Sequence, residues 1–280
     1  MAENKCIHGK VIAIDIGGTN LRVSTVRNGK ILKYIKKTTP KNKADFLNVL
    51  YDGISELMSK DIVAIGVGSP GPLKNGIIKN PPNIPLKNFN LKEVLERKFK
   101  RRVVIENDAK CVALAEIKLG VRKKNFIVIT FGTGIGGGIV IDGKLYLGQG
   151  YAGELGHITL SNGKYFEDLW KENREYIKEH FGQNIIIKDL IKMKNNEAEM
   201  ILESISDHMG QGIASIINIF DPEAVVLNGG IRECGDALLD RVKKHAKKHI
   251  IIPHDTPIFF SKLPHPGTLG ASLLVNMKAL

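Results

Sequence analysis

The sequence predicts a two-domain α/β protein with mixed sheets, and three observations carry that prediction. The first is an internal echo. Val11–Val26 reads as strand, glycine turn and strand, followed by Asn28-Gly-Lys30 and a further strand, Ile31–Tyr34. Phe126–Ile141 has the same layout and runs into Asp142-Gly-Lys144 and Leu145–Leu147. Asn-Gly and Asp-Gly suit tight hairpin turns with positive φ at both central residues. Two such units, more than a hundred residues apart, indicate a duplicated domain. The second observation is the alternation of strands and helices after each hairpin, which implies α/β layers. The third is length: 280 residues suffice for two cores.

The elements follow in order. After the first hairpin unit come a helix near Lys43–Ser59 and a buried strand, Ile62–Val67. Gly68-Ser-Pro-Gly-Pro72 and Asn80-Pro-Pro-Asn-Ile-Pro85 are irregular, because proline removes backbone donors and fixes φ. A helix near Leu91–Phe99, the strand Val103–Ile105 and a helix over Ala109–Leu119 follow. Beyond the second hairpin unit, Tyr151–Leu160 reads as loop and strand. Helices are expected near Phe166–His180, Ile187–Met193, Glu197–Phe220 and Asp236–His249, with a buried strand at Ala224–Leu227 and a terminal helix over Leu269–Met277. Domain limits are expected at residues 1–107, joined by a C-terminal helix 268–280, and at 108–267.

Composition narrows the function classes. A hydrophobic fraction of 43% and a charged fraction of 25% are ordinary for a globular protein. No apolar run reaches the roughly 18–20 residues that a bilayer needs, and Met1–Lys10 leads almost at once into a strand, which leaves no room for a signal peptide. Cys6, Cys111 and Cys234 lie far apart and are odd in number, so no disulfide framework is expected and a cytoplasmic setting fits. The net charge of +12 could favour polyanions. Its lysines are scattered, however, and no nucleic-acid-binding module accompanies them.

The glycine turns carry the chemistry. Asp15-Ile-Gly-Gly-Thr-Asn20 follows a strand, and Gly17 and Gly18 let backbone N–H groups approach phosphate oxygens. Thr19 and Asn20 add polar side chains, and Asp15 is placed to attract a hydrated Mg²⁺. Taken alone, this is equally a tight turn with a capping Asp. In the second turn, Gly132, Gly134 and Gly137 match the spacing of a dinucleotide-binding fingerprint. That motif requires a following helix, and Ile139–Leu147 reads as strand, turn and strand, so the dehydrogenase reading is rejected. Thr133 and Gly134 are instead candidate phosphate contacts. There is no P-loop. Val226-Leu-Asn-Gly-Gly-Ile231 supplies a third glycine pair, Gly229 and Gly230.

In order along the chain, six segments resemble the motifs of the ROK family of repressors, open reading frames and kinases. They are Asp15-Ile-Gly-Gly-Thr-Asn20, Gly68-Ser-Pro-Gly-Pro72, Glu106-Asn-Asp-Ala109, Gly132-Thr-Gly-Ile-Gly-Gly137, Gly153-Glu-Leu-Gly-His157 and Leu227-Asn-Gly-Gly230. Gly267-Thr-Leu-Gly-Ala271 is similar to the start of that family's terminal helix. The resemblance implies the actin-like ATPase (ribonuclease H-like) fold with an interdomain cleft that closes on the sugar, and an ATP-dependent sugar kinase with Mg²⁺. It implies that Asp108 is the catalytic base for a sugar 6-hydroxyl, a role that suits phosphoryl transfer, where one group orients the nucleophile. An ordinary Asp at that strand-to-helix junction would be a helix cap. The resemblance further implies that Asn107, Glu154 and His157 bind sugar hydroxyls, and that Gly229 and Gly230 face adenosine.

Asn83 is a further sugar candidate, although turn chemistry explains it about as well. Many relatives carry a C-x-C-x-x-x-x-C zinc site after the Gly-His pair. Ile158–Trp170 has no cysteine, so no structural zinc is expected. The family's third sugar-binding glutamate is assigned to Glu167, with a helix N-terminal charge as the alternative.

Glucose is the leading substrate, because Gly68–Pro72 and Pro82-Asn-Ile-Pro85 resemble glucokinase-like members. N-acetylmannosamine is the rival. Polyphosphate as donor and a sugar-sensing regulator are less favoured, since only about ten residues precede the first strand, where the regulators have a DNA-binding domain of roughly 60–80 residues. The expected partners are ATP and a hexose or N-acetylhexosamine, in a homodimer or homotetramer as relatives commonly form, with neither nucleic acid nor membrane.

Overall fold

A computed structural model describes residues 9–81 and 83–277. Cys6 and the last residues of the expected terminal helix, 278–280, lie outside the described residues. The chain divides into two compact units. The first comprises residues 1–122, 145–152 and 263–280, and the second residues 123–144 and 153–262.

The first unit is built on a five-stranded sheet. β1 (Lys10–Ile16), β2 (Asn20–Arg27) and β3 (Lys30–Thr38) form the antiparallel start. Asn28 and Gly29 have φ of 50° and 71°, the positive values that an Asn-Gly hairpin turn requires. α1 (Lys43–Leu57) follows, with Asn42 capping it through Asp45 N. β4 (Ile62–Ser69) then pairs parallel with β1. A small sheet of β5 (Leu73–Lys74), β6 (Ile77–Ile78) and β7 (Phe89–Asn90) occupies the proline-rich stretch. α2 (Leu91–Phe99) leads to β8 (Arg102–Asn107), which pairs parallel with β4 and completes the order β3-β2-β1-β4-β8. Edge strand β3 exposes Lys30, Lys33, Lys36 and Lys37, charges that discourage pairing with another chain.

Each face of this sheet is covered. Ile12, Ile14, Leu21 and Val23 pack with Phe46, Leu50 and Ile54 on one side. On the other, Ala13 packs with Cys111, Leu114 and Ala115 of α3 (Asp108–Leu119) and with Leu269 and Ala271 of a helix over Pro266–Leu273. That second layer is very close-packed. A β-carbon on Gly66 would run into the Ala271 carbonyl, and one on Gly270 into the Cys111 carbonyl. Because α3 is held this way, it belongs to the first unit. The boundary therefore lies at Arg122, where the sequence reading placed it at Asn107. Leu145–Ala152 and Leu263–Gly267 also join the first unit, contrary to the expected 108–267 domain.

The second unit repeats the plan. β9 (Phe126–Phe131) pairs antiparallel with β10 (Ile135–Ile141), and the Asp142-Gly143 turn, with φ of 52° and 70°, leads to β11 (Lys144–Tyr146), of which Lys144 alone belongs to this unit. α4 (Phe166–His180), a single turn α5 (Ile187–Leu190) and the 25-residue α6 (Asn196–Phe220) follow. β12 (Val225–Gly229), α7 (Asp236–Lys247) and β13 (Ile258–Phe260) complete the sheet order β11-β10-β9-β12-β13. The helix over Pro266–Leu273 is α8. α7 packs on α6 through His245, whose ring nitrogens lie 2.7 Å from Glu203 Oε1 and 2.8 Å from Asp207 Oδ1. Among the described residues no helix is long and apolar enough to cross a membrane.

Three expected elements differ from those observed. The helix expected over Ile187–Met193 is only one turn before the chain bends. Tyr151–Leu160 has no strand and instead carries a 3₁₀ turn at Leu155–His157. The terminal helix begins at Pro266, because proline at the first position needs no N–H partner.

Candidate functional site

In the first unit, β1 and β2 are joined by Gly17-Gly18-Thr19. The turn is tied from behind. Thr39 Oγ1 donates to the Gly17 carbonyl at 2.7 Å, Lys41 Nζ to the Gly18 carbonyl at 3.1 Å, and Thr39 N to the Thr19 carbonyl at 2.9 Å. Among the described residues no hydrogen bond engages the N–H groups of Gly18 and Thr19. A turn with its carbonyls occupied and its amides free suits an anion.

Asp15 lies at the end of β1 in register with Arg22, whose Nη1 is 3.1 Å from Asp15 Oδ2. Burial pushes the Asp15 carboxyl above the usual carboxylate range, while Arg22 and, more weakly, His265 pull it down. The start of α8 also reaches it, since a β-carbon on Gly267 would sit 3.0 Å from this carboxylate. Among the described residues no cluster of three His, Cys, Asp or Glu could hold a metal. A single carboxylate still fits Mg²⁺, which keeps several waters and takes its other oxygens from phosphates.

Asn107 and Asp108 stand where β8 gives way to α3. The cap is Asn107, whose Oδ1 accepts from Ala109 N at 3.0 Å and Lys110 N at 3.2 Å. Asp108 is the first helical residue, and its Oδ1 accepts from Ala109 N at 2.9 Å. Asn107 thus carries the cap, and Asp108 shares the Ala109 N–H with it. Gly68 brings the end of β4 alongside, where a β-carbon would lie 3.6 Å from Asp108 Cα. Burial, followed by the carboxylates of Glu106, Asp108 and Asp15, holds the Cys111 thiol well above its ordinary value. Asn83 is half-buried in the loop beyond Pro81, and Pro81 packs against Gly71.

In the second unit, Gly132-Thr133-Gly134 joins β9 to β10. Trp170 Nε1 donates to the Gly132 carbonyl at 3.0 Å, and Arg174 Nη1 to the Gly132 and Thr133 carbonyls at 3.0 and 3.1 Å. The N–H groups of Thr133 and Gly134 make no hydrogen bond among the described residues. Glu167 supports the same turn. One carboxylate oxygen accepts from Ile135 N at 2.6 Å and the other from Lys171 Nζ at 2.6 Å.

Glu154 precedes the 3₁₀ turn and His157 ends it, the two side chains 3.9 Å apart and about half exposed. Gly137 accommodates this segment, because a β-carbon there would lie 2.5 Å from the Gly153 carbonyl and the Leu155 side chain. Glu167 is brought beside them, as a β-carbon on Gly156 would be 3.3 Å from Glu167 Cβ. Ile158–Phe166 closes on itself through a Thr159–Tyr165 bridge and bonds from Leu160 N to Lys164 O and Phe166 N to Ile158 O.

Gly229 ends β12 with φ of 102°, its Cα packed against the Phe131 carbonyl so that no side chain fits. Gly230 opens the next 3₁₀ turn. An open cavity of about 570 Å³ lies there, lined by Gly229, Arg232, Asp236, Phe260 and Lys262 among others.

The sequence reading missed Arg22, Thr39, Lys41, Trp170 and Arg174. Arg22 could have been found from strand register, since a hairpin with this turn sets it opposite Asp15. Trp170 and Arg174 share one face of a helix four residues apart, but nothing local says which turn they serve.

The same parts occur in known proteins. A sequence model described as the ROK family matches residues 11–175 and 163–278. A glucokinase of Halalkalibacterium halodurans is 29% identical over 86% of this chain and 86% of its own length. The crystal structure of a ROK family glucokinase from Streptomyces griseus in complex with glucose and AMPPNP superposes with a TM-score of 0.84, at 26% identity, covering 95% of this chain and 99% of that one. Lmo2764 of Listeria monocytogenes, a putative N-acetylmannosamine kinase, gives 0.81 at 29% identity, covering 95% and 98%. Ordered motifs, duplicated glycine hairpins and a match over most of the chain converge: the chain has the actin-like ATPase fold and belongs to the ROK family.

Proposed function

We propose that the protein is an ATP-dependent hexose kinase that transfers the γ-phosphate of ATP to the 6-hydroxyl of a sugar, with glucose as the first substrate. The observation that carries this reading is the pair of glycine turns with tied carbonyls and free amides, together with Asp108 at the start of α3. The amides of Gly18, Thr19, Thr133 and Gly134 cradle the phosphates, and Gly229 and Gly230 lie against the adenosine. Asp15 would hold Mg²⁺, in keeping with its single carboxylate, and the metal would supply charge neutralisation on the phosphates. Asn107, Glu154 and His157 bind the sugar hydroxyls, with Asn83 and Glu167 as further contacts. Asp108 accepts the proton of the 6-hydroxyl as its oxygen attacks phosphorus.

Glucose is favoured because several relatives of similar length are glucokinases. N-acetylmannosamine is the second reading, and it rests on the likeness to the Listeria protein. A coupled ADP-release assay over a sugar panel tests both. Turnover of glucose is expected, and turnover of N-acetylmannosamine alone would transfer the assignment. Asp108→Asn is expected to lower kcat by roughly 10³-fold with sugar and ATP affinity near wild type. A wild-type rate in that variant would remove Asp108 as the base.

A further inference from the structure

Lys110 is the least expected charge in the first unit. It lies in the first turn of α3, two residues after Asp108, and is only 4% exposed. A cation there opposes the helix dipole, and lysine is rarely buried without strong partners. Its Nζ donates to the Gly150 carbonyl at 2.6 Å. The nearest carboxylate oxygen, Glu106 Oε1, is 3.8 Å away and already accepts from Asn107 N at 2.7 Å. The strongest bond of this buried ammonium is therefore to a backbone carbonyl in a distant stretch of chain. Forming α3 does not require it, because Asn107 already caps the helix.

The carbonyl that Lys110 holds sits in an unusual stretch, Gly148-Gln-Gly-Tyr-Ala-Gly153. Gly148, Gly150 and Gly153 all have positive φ, at 56°, 109° and 98°. Such a segment has many alternative backbone states unless something fixes it. Among the described residues its backbone bonds are those of Gly150 N and Ala152 N to the Leu147 carbonyl and of Leu155 N to the Gly153 carbonyl. Glu154 follows Gly150 by four residues, a reach of at most about 14 Å. Fixing the Gly150 carbonyl therefore leaves three residues, Tyr151, Ala152 and Gly153, between the held carbonyl and Glu154. We infer that Lys110 is a positioning residue: its buried ammonium clamps Gly150 and so sets the backbone that presents Glu154 and His157 to the sugar. The catalytic consequence rests on the hexose-kinase reading, whereas the clamp itself does not.

The test uses the full chain with Lys110→Met, which keeps the length and removes the donors, and Lys110→Arg, which restores a charged donor. Hydrogen exchange of the Gly148–Gly153 amides is expected to quicken about tenfold in Lys110→Met and to return toward wild type in Lys110→Arg. In the coupled assay, the KM for sugar is expected to rise about tenfold in Lys110→Met, with the KM for ATP within about twofold. Wild-type exchange and wild-type sugar KM in a folded Lys110→Met protein would overturn the clamp. So would a parallel rise of both KM values with a lowered melting temperature, which marks a purely structural role. If the wild type phosphorylates no sugar, the kinase reading falls and the exchange comparison alone decides the clamp. Lys110→Gln, polar but shorter, serves in both measurements if Lys110→Met does not fold.

Discussion

The two glycine turns share a hairpin plan and differ in what stands behind them. The first is tied by the strand exit that follows it, through Thr39 and Lys41, and carries the Asp15–Arg22 pair on its flank. The second is tied by a helix, through Trp170, Arg174 and Glu167 of α4, and has no acid at the position of Asp15. Duplication thus preserved the outward face, with its free amides, and let the support diverge. Support from a neighbouring strand can be light, because the strand is already in the sheet. Support from a helix needs long side chains that reach the turn, and an aromatic ring and a guanidinium supply that reach.

The comparison can be broken most severely at Gly134, where a β-carbon would run into the Glu167 carboxylate, itself fixed by Ile135 N and Lys171. Gly134→Ala is expected to raise the KM for ATP more than about tenfold, whereas Gly17→Ala, whose β-carbon would meet the Asn20 carbonyl at 3.0 Å, costs less. Equal effects would show that the supports do not matter. Glu167→Gln sharpens the same contrast. A rise of several-fold in the KM for ATP marks Glu167 as a brace of the turn, whereas a rise confined to sugar marks it as a sugar ligand. Thr39→Val removes the 2.7 Å bond to Gly17 and is expected to destabilise the protein by about 1 kcal/mol, read by denaturant unfolding.

The smallest effect is expected at Asp15. Its carboxyl is raised by burial, so ionising it opposes folding once the pH exceeds the ordinary carboxylate value. Asp15→Asn should therefore melt slightly higher than wild type near pH 7, with the gain shrinking as pH falls to about 4. A lower melting temperature at neutral pH would mean that Arg22 outweighs the burial.

What was legible in the sequence had local causes. Asn28-Gly29 and Asp142-Gly143 announced their hairpins because few residues accept positive φ. Asn107-Asp108 marked a strand-to-helix junction for the same kind of reason, a side chain that suits a cap. The unit boundary was not legible. α3 joins the first unit through Gly66 and Gly270, whose partners lie far away in the chain, and no window of sequence reveals such a contact. Glu167 was found as a candidate, but its bond to Ile135 N depends on a register between α4 and β10 that periodicity does not encode. The bond from Lys110 to the Gly150 carbonyl has no local signal either, since its partner lies forty residues on.

The lodging of α8 against Gly66 and α3 also bears on how the chain is made. The first unit takes its strands from residues that precede the second unit and its closing helix from residues that follow it. On a ribosome adding roughly 5–20 residues per second, the stretch from Arg122 to Leu263 emerges over on the order of ten seconds. Throughout that interval the apolar surface around Ala13, Cys111 and Leu114 lacks its last cover. The unit synthesised first is therefore the one completed last, and chaperone demand during translation should concentrate on it.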